Sequence, residues 1–328
     1  MVTPVRRILL TGATGFVGRA VYPPLVAAGA VVRCATRDAG RAAELWPGRD
    51  WVTADVSNHD SIARALEDCD AALYLVHGMA SPGGDFHRQE IAQAETFLRV
   101  AESAGVRRII YLGGVVAGGD DASEHLRSRE EVGETLRSGR VSTIELRASM
   151  IIGHGSLSWL IVRDLAARLP LMVLPRWLKS RTEPVAIDDI VAALLGAIDA
   201  QVENSAWFGV PGPEILSGRE ILERTADVLG IRRPLMIQVP LLSPQLSSHW
   251  VRFVTRADWS VAREVVVGLT EDLLSPDARF WGLIGHSRLL DFEEASRRAL
   301  ADEKREGPIP GPWGAVERLL VASTGRRV

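Results

Sequence analysis

Residues 9–20 read "LLTGATGFVGRA": an apolar, strand-like run that passes straight into a helical one, with Gly12, Gly15 and Gly18 spaced three apart across the join. Each glycine has its own physical task. Gly12 makes the tight turn, Gly15 lets the backbone approach a pyrophosphate, and Gly18 lets helix and strand pack closely. The start of the helix adds unsatisfied N–H groups and the positive end of its dipole. A glycine triplet alone is a weak signal, so its surroundings carry the argument.

Those surroundings alternate. Strand candidates lie at 6–12, 30–36, 51–56, 71–77, 108–114 and 142–149, with helical patterns at about 16–28, 61–67, 86–104 and 123–138 between them. In 86–104, Ile91, Ala94, Leu98 and Ala101 share one face and Gly105 is a C-terminal stop. Near-continuous apolar strands alternating with helices predict an α/β fold, a Rossmann-type doubly wound parallel sheet. After residue 155 the rhythm loosens. "EPVAIDDIVAALLGAIDA" predicts a short strand and a helix with Asp188 and Asp189 near its N-cap, and "AWFGVPG" another strand. "SGREILERTADVLG" predicts a helix between Ser217 and Gly230. The expected organisation is a dinucleotide-binding part, 1–155 completed by 183–212, and a smaller C-terminal lobe, 156–182 with 213–328.

The bulk numbers exclude little but are consistent. The 328 residues are 47% hydrophobic and 24% charged with net charge −3, so no basic field invites nucleic acid. Cys34 and Cys69 stand in apolar contexts without metal-ligand spacing, which predicts buried free thiols in a reducing compartment. The N-terminal apolar run is too short for a signal peptide, and Pro240 and Pro244 break the longest uncharged stretch, Pro234 to Trp250. A cytoplasmic protein with a small-molecule substrate and no membrane span is expected; a homo-oligomer is possible but not indicated.

The chain resembles the atypical or extended short-chain dehydrogenase/reductase superfamily. The likeness rests on "TGATGFVG" at 11–18, Asp55 after the third strand, "YLGG" ending the fifth, "ELRASMIIGHGS" and "EPVAIDDIVAALLGAI", and covers about residues 5–230. "YLVHGM", "RIIYLGG", "EHLRSREEVGE" and "LPRWLKSRTEPVAI" are similar to an NAD(P)-binding branch near the NmrA-like proteins and the accessory Rossmann subunit of respiratory complex I. The resemblance implies a cofactor site of Gly12, Thr14, Gly15, Phe16, Val17 and Gly18 at the turn. Asp55 and Val56 would lie against adenine, and Val76, His77, Gly78, Gly113 and Gly114 along the path to the nicotinamide. At the second strand tip, where NAD users usually carry an acid, it implies Thr36 followed by Arg37. Arg37 suits a 2′-phosphate, so NADP(H) is preferred over NAD(H), although Asp38 is a nearby carboxylate.

The family's usual catalytic set is a Ser or Thr past the fifth strand and Tyr-x-x-x-Lys on the next helix. Here the strand ends in Gly113-Gly114, and His125 and Arg129 hold the Tyr and Lys places. None of the three tyrosines, Tyr22, Tyr74 and Tyr111, falls in that helix. His125 can accept or donate a proton and Arg129 can hold ribose hydroxyls. A cation one turn away favours the neutral imidazole, which makes His125 a weaker acid. The alternative is a solvated helix face satisfied by Arg127–Glu131 and Glu130–Glu134 neighbours. His77 and His154 stand at strand ends, and Arg176, Lys179 and Arg181 beside Trp177 can meet an anion or line a lip. Trp159, Trp177, Trp250, Trp259 and Trp281 would line a substrate lobe or form core. Three functions stay open: an NADP(H)-dependent oxidoreductase on a small, largely apolar carbonyl metabolite, a catalytically silent redox sensor or assembly protein, and a cofactor-retaining epimerase or isomerase.

Overall fold

Seven strands pair in one parallel sheet: β1 (Arg7–Leu10), β2 (Val31–Thr36), β3 (Asp50–Thr53), β4 (Ala71–Tyr74), β5 (Arg108–Gly114), β6 (Ser142–Ala148) and β7 (Ala206–Gly209). Their order, β7-β6-β5-β4-β1-β2-β3, is the doubly wound arrangement anticipated above. The computed structural model describes residues 6–76, 86–115, 124–169, 171–174, 180–238 and 272–306, without the side chains of Phe86, Glu124, His125, Leu126, Val173, Leu174 and Gln238. Among the described residues no helix is long and apolar enough to cross a membrane.

The strands are apolar on both faces because helices cover both. Ile8 and Leu10 of β1 join the cluster beneath α1 (Phe16–Ala27) and α7 (Ile187–Asp199). Leu9, between them, points the other way, into the cluster with α3 (His59–Leu66), α4 (Phe86–Ser103) and α5 (Glu124–Arg137). Fully burying each such side chain contributes about 1.5–3 kcal/mol. A third cluster joins α6 (Leu157–Arg168), α8 (Gly218–Leu229) and α10 (Phe292–Glu306) through Trp159, Val162, Leu222 and Phe292. The short helix α9 (Arg279–Leu283) packs Phe280 against Phe208 of β7.

Local signals hold at many ends. Gly105 and Gly230 stop their helices at φ 72° and 69°. Ser217 caps α8 in a reciprocal capping box with Glu220. Several expectations need correction. The helix α2 (Ala39–Leu45) was not anticipated; Asp38 Oδ1 caps it by accepting from Arg41 N at 2.9 Å. The N-cap of α7 is Ala186, with no side-chain cap. Asp189 is instead buried in the first turn, where Oδ1 meets His286 Nε2 at 2.8 Å and Oδ2 accepts from Leu290 N at 3.0 Å. Trp159 and Trp281 are only 3% and 7% exposed, so both are core, and Trp281 donates to Pro211 O. Trp177, Trp250 and Trp259 lie outside the described residues.

Cys34 and Cys69 are free and buried. Burial pushes the two thiols up to about 12 and about 11. Both should therefore stay unmodified by a thiol reagent at about pH 8 in the native chain, where a thiolate is required for reaction. Both should react once denaturant is added, and thiol counting by absorbance checks this.

Candidate functional site

The glycine turn sits where chain connections leave β1 and β4 in opposite directions, the point at which doubly wound sheets open a crevice at their carboxyl ends. Thr11 fastens this point: its Oγ1 donates to Leu73 O and accepts from Leu75 N, each at 3.0 Å. Gly12 takes φ 64°, and a Cβ there would stand 2.4 Å from Leu75 O. A Cβ on Gly18 would stand 2.3 Å from Gly12 O. Gly15 caps α1 without any side-chain bond and Arg19 N is the donor to Gly15 O, so the N–H groups of Phe16, Val17 and Gly18 have no intrahelical acceptor. A cradle with no room for a Cβ at Gly12 or Gly18 and with open N–H groups at the helix start fits a dinucleotide pyrophosphate. Thr14 is exposed beside it, and the Phe16 ring packs on Gly153 and Gly155 of the loop after the short strand Ile151–Ile152.

Toward β2 and β3, Arg37 is exposed at the strand tip and Thr36 half-buried. The neighbouring carboxylate of Asp38 is committed to capping α2. Asp55 is exposed; its Oδ1 accepts from Ser57 Oγ at 2.6 Å and from Ser57 N at 2.9 Å. Those two bonds hold its carboxyl below the usual range, with a smaller contribution from the Arg37 charge. Val56 and Val76 are half-buried against the α3–α5 cluster. His77 and Gly78 lie outside the described residues.

Toward β5 and β6, Gly113 and Gly114 are buried. The space a Gly113 side chain would need belongs to Tyr111 and Glu145, each with an atom 3.1 Å from the Cβ position. Tyr111 points into the packing, and its hydroxyl donates to Arg129 O at 3.2 Å. Burial raises Tyr111 and Tyr74 far above the ordinary phenol value. Arg129 is half-buried, and its enclosed Nε has no hydrogen-bond partner among the described residues. The side chain of His125 lies outside the described set.

The self-satisfied helix face is not what forms around Arg129. Glu131 meets His87 Nε2 at 2.9 Å and Glu130 meets Arg147 at 3.3 Å, while Ser128, fully buried, donates to Glu90. Glu145, 1% exposed on β6, accepts from Arg137 Nε at 2.8 Å and Arg147 Nε at 2.7 Å. Partners on neighbouring elements, His87 and Glu90 on α4 and Arg147 on β6, thus take the place of the intrahelical neighbours. His154 pairs with Glu306 of α10 at 2.9 Å, and Arg181 is engaged through both Nε and Nη2 by Asp272. Both side chains are therefore tied to protein partners. Arg176 and Lys179 lie outside the described residues.

One carboxylate escaped the sequence reading. Glu183, half-buried, lies beyond the tip of β6, where Ser149 Oγ donates to its carbonyl at 2.9 Å. Its side chain accepts from Ser275 N at 2.6 Å. It opens the quoted stretch "EPVAIDDIVAALLGAI", but no periodicity marks it as a site residue. A polar cavity of about 370 Å³ lined by Arg6, Asp70, Arg107 and Arg108 opens at the opposite, amino-terminal edge of the sheet and is no part of this site.

Comparisons with known proteins agree with the geometry. A family model described as NAD(P)H-binding matches residues 12–166. The (4-alkanoyl-5-oxo-2,5-dihydrofuran-3-yl)methyl phosphate reductase of Streptomyces griseus subsp. griseus is 27% identical over 240 residues, 70% of this chain and 76% of that one. Citrobacter sp. triphenylmethane reductase, solved with NADP(H), superimposes with TM-score 0.69 at 17% identity over 89% of this chain and 99% of that one. The Bordetella bronchiseptica enzyme WbmG, solved with NAD, gives TM-score 0.71 at 14% identity over 94% and 97%. At such identities the two structures establish a shared fold, and together they span both nicotinamide cofactors.

Proposed function

We propose that this chain, a member of the NAD(P)-binding short-chain dehydrogenase/reductase superfamily, is an NADP(H)-dependent reductase of a small, largely apolar carbonyl compound. The observation that carries the reading is the glycine cradle with its uncapped helix start at the switch point of the sheet. In this reading residues 1–155 and 183–212 hold the dinucleotide, and 156–182 with 213–328 form the substrate lobe. It is an atypical member, NmrA-like in lacking the catalytic tyrosine, and works in the cytoplasm.

The bound dinucleotide supplies the two electrons of the reduction. The residues proposed to hold it are Gly12, Thr14, Gly15, Phe16, Val17 and Gly18 at the pyrophosphate, Asp55 and Val56 at adenine, and Val76, His77, Gly78, Gly113 and Gly114 toward the nicotinamide. Arg37 pairs with the 2′-phosphate, a role favoured by its exposure and by the commitment of Asp38 to α2. Arg129, half-buried in α5, holds the ribose hydroxyls. His125, one turn before Arg129 in α5, is assigned the role of orienting the carbonyl oxygen. The S. griseus relative is named a reductase, which supports the direction of the chemistry.

Replacing Arg37 by alanine should weaken NADPH about 10- to 100-fold, from the roughly 1.5–3 kcal/mol that hydrogen bonds to charged groups contribute, and leave NADH unchanged. Fluorescence titration with both cofactors decides it; equal losses would remove the 2′-phosphate role. A screen of carbonyl compounds with wild type, His125→Ala and Arg129→Ala tests the reaction. Tight NADPH binding with no turnover anywhere would sink the reductase and leave the silent sensor, which the burial of Tyr74 and Tyr111 favours. Substrate conversion without net NADPH consumption would mark an epimerase.

A further inference from the structure

We propose that Glu183 is the proton donor of the carbonyl reduction, in place of the tyrosine that this chain lacks; the inference rests on the reductase reading above. Arg37 and Asp55, at the tips of β2 and β3, mark the adenosine end of the crevice, so the nicotinamide end extends the other way, over β4, β5 and β6. Glu183 is on that side. Ala148, the last residue of β6, pairs with Gly114, the last of β5, and the next residue, Ser149, is hydrogen-bonded to Glu183 through both its backbone groups, Oγ donating to the carbonyl at 2.9 Å and accepting from N at 3.3 Å. The same rim is apolar where it meets the β5 tip: Val115 packs on Leu273, which bridges Thr182. An acid beside an apolar wall suits a largely apolar carbonyl.

The carboxyl group is held but not consumed. Ser275 N–H anchors Oε2, and Oε1 makes no hydrogen bond among the described residues. The charges on the elements packed against it are already neutralised, Arg181 by Asp272 and Arg279 by Asp277. Burial raises the Glu183 pKa above the ordinary glutamate value, against the opposing pull of Ser275 N–H. A raised value keeps the proton in place to higher pH, which a general acid needs. In the step, the π pair of the C=O bond moves to oxygen as the carbon gains its hydride from the cofactor. That oxygen takes the proton from Glu183 Oε1, leaving alcohol and carboxylate, and solvent water restores the acid.

Two measurements on the full chain test this, with Glu183→Gln as the variant because glutamine still accepts from Ser275 N–H. The first, carboxyl carbon NMR of the cofactor-free protein over pH, should show one glutamate titrating above the ordinary range and missing from the variant. Ordinary titration there overturns the proposal whatever the enzyme reduces. The second is kcat against pH for the best substrate of the carbonyl screen. Glu183→Gln should lose about 100-fold in kcat and the alkaline limb of the profile, with NADPH affinity and Tm held. An unaltered profile, or a rate loss that merely follows loss of Tm, overturns the proposal while leaving the reductase reading intact. A wild type that binds NADPH and reduces nothing removes both, and is told apart by failing before any substitution is made.

Discussion

Gly12→Ala is expected to cost about 2–5 kcal/mol of folding stability and to abolish NADPH binding. Two effects add. The left-handed backbone at φ 64° penalises any Cβ by roughly 1–2 kcal/mol. The Cβ would also lie 2.4 Å from Leu75 O and 2.8 Å from Leu75 C, both backbone atoms just past β4, and overpacking of this kind adds about 1–3 kcal/mol. Relief requires β1 and β4 to separate at the mouth of the crevice, where the pyrophosphate would sit. Gly105 is the control. It has φ 72° with nothing within 4 Å of its Cβ position, so Gly105→Ala should show the backbone penalty alone and keep cofactor affinity. Urea unfolding and NADPH titration of the pair check this, and equal costs would refute the steric account. Gly18→Ala should resemble Gly12→Ala, because its Cβ would meet Gly12 O at 2.3 Å and Ala13 Cα at 2.8 Å.

Glu145→Ala should cost a similar 3–5 kcal/mol, the usual result of breaking a buried ion pair from one side. Arg137 and Arg147, with side chains only 20% and 11% exposed, would each lose the carboxylate that neutralises them. Gly133 shows how closely α5 is fitted to that carboxylate: a Cβ there would stand 2.5 Å from its atoms. The cluster fixes α5 on β6, and α5 carries Arg129, so NADPH affinity should fall together with stability. Glu130→Ala removes an outer, 35% exposed partner of Arg147 and should cost no more than about 1 kcal/mol. Denaturation curves for both variants settle the comparison; a Glu145→Ala protein as stable as Glu130→Ala would show that the buried network does not hold the helix.

Much of the frame was legible from residues alone. β5 spans 108–114 as its apolar run predicts, and β1, β2 and β6 differ from theirs only at the ends. The third strand is Asp50–Thr53 and not 51–56, since Ala54 and Asp55 leave the sheet to form the turn at Ser57. The short helix α2 was missed because "AGRAAEL" carries too few apolar residues to show a period, and its cap, Asp38, had been read for its charge.

Side-chain partnerships were less legible. Arg127–Glu131 was the natural ion pair within α5, with Glu130 and Glu134 as its like-charged neighbours, yet Glu131 turns to His87 and Glu130 to Arg147. Glu183 drew no attention in the sequence and acquires its setting only from Ser149 and Ser275, 34 and 92 positions away.

The division has a physical cause. Strand and helix period, the glycine turn and the Ser217 cap are set by sterics and hydrogen bonds within a few residues, so residue order alone determines them. Whether a charge is paired, buried or left open depends on which distant groups share its low-dielectric surroundings. Those neighbours exist only once the sheet has brought β5, β6 and the segments beyond them together, and there the tertiary structure decided what Arg129, Glu145 and Glu183 face.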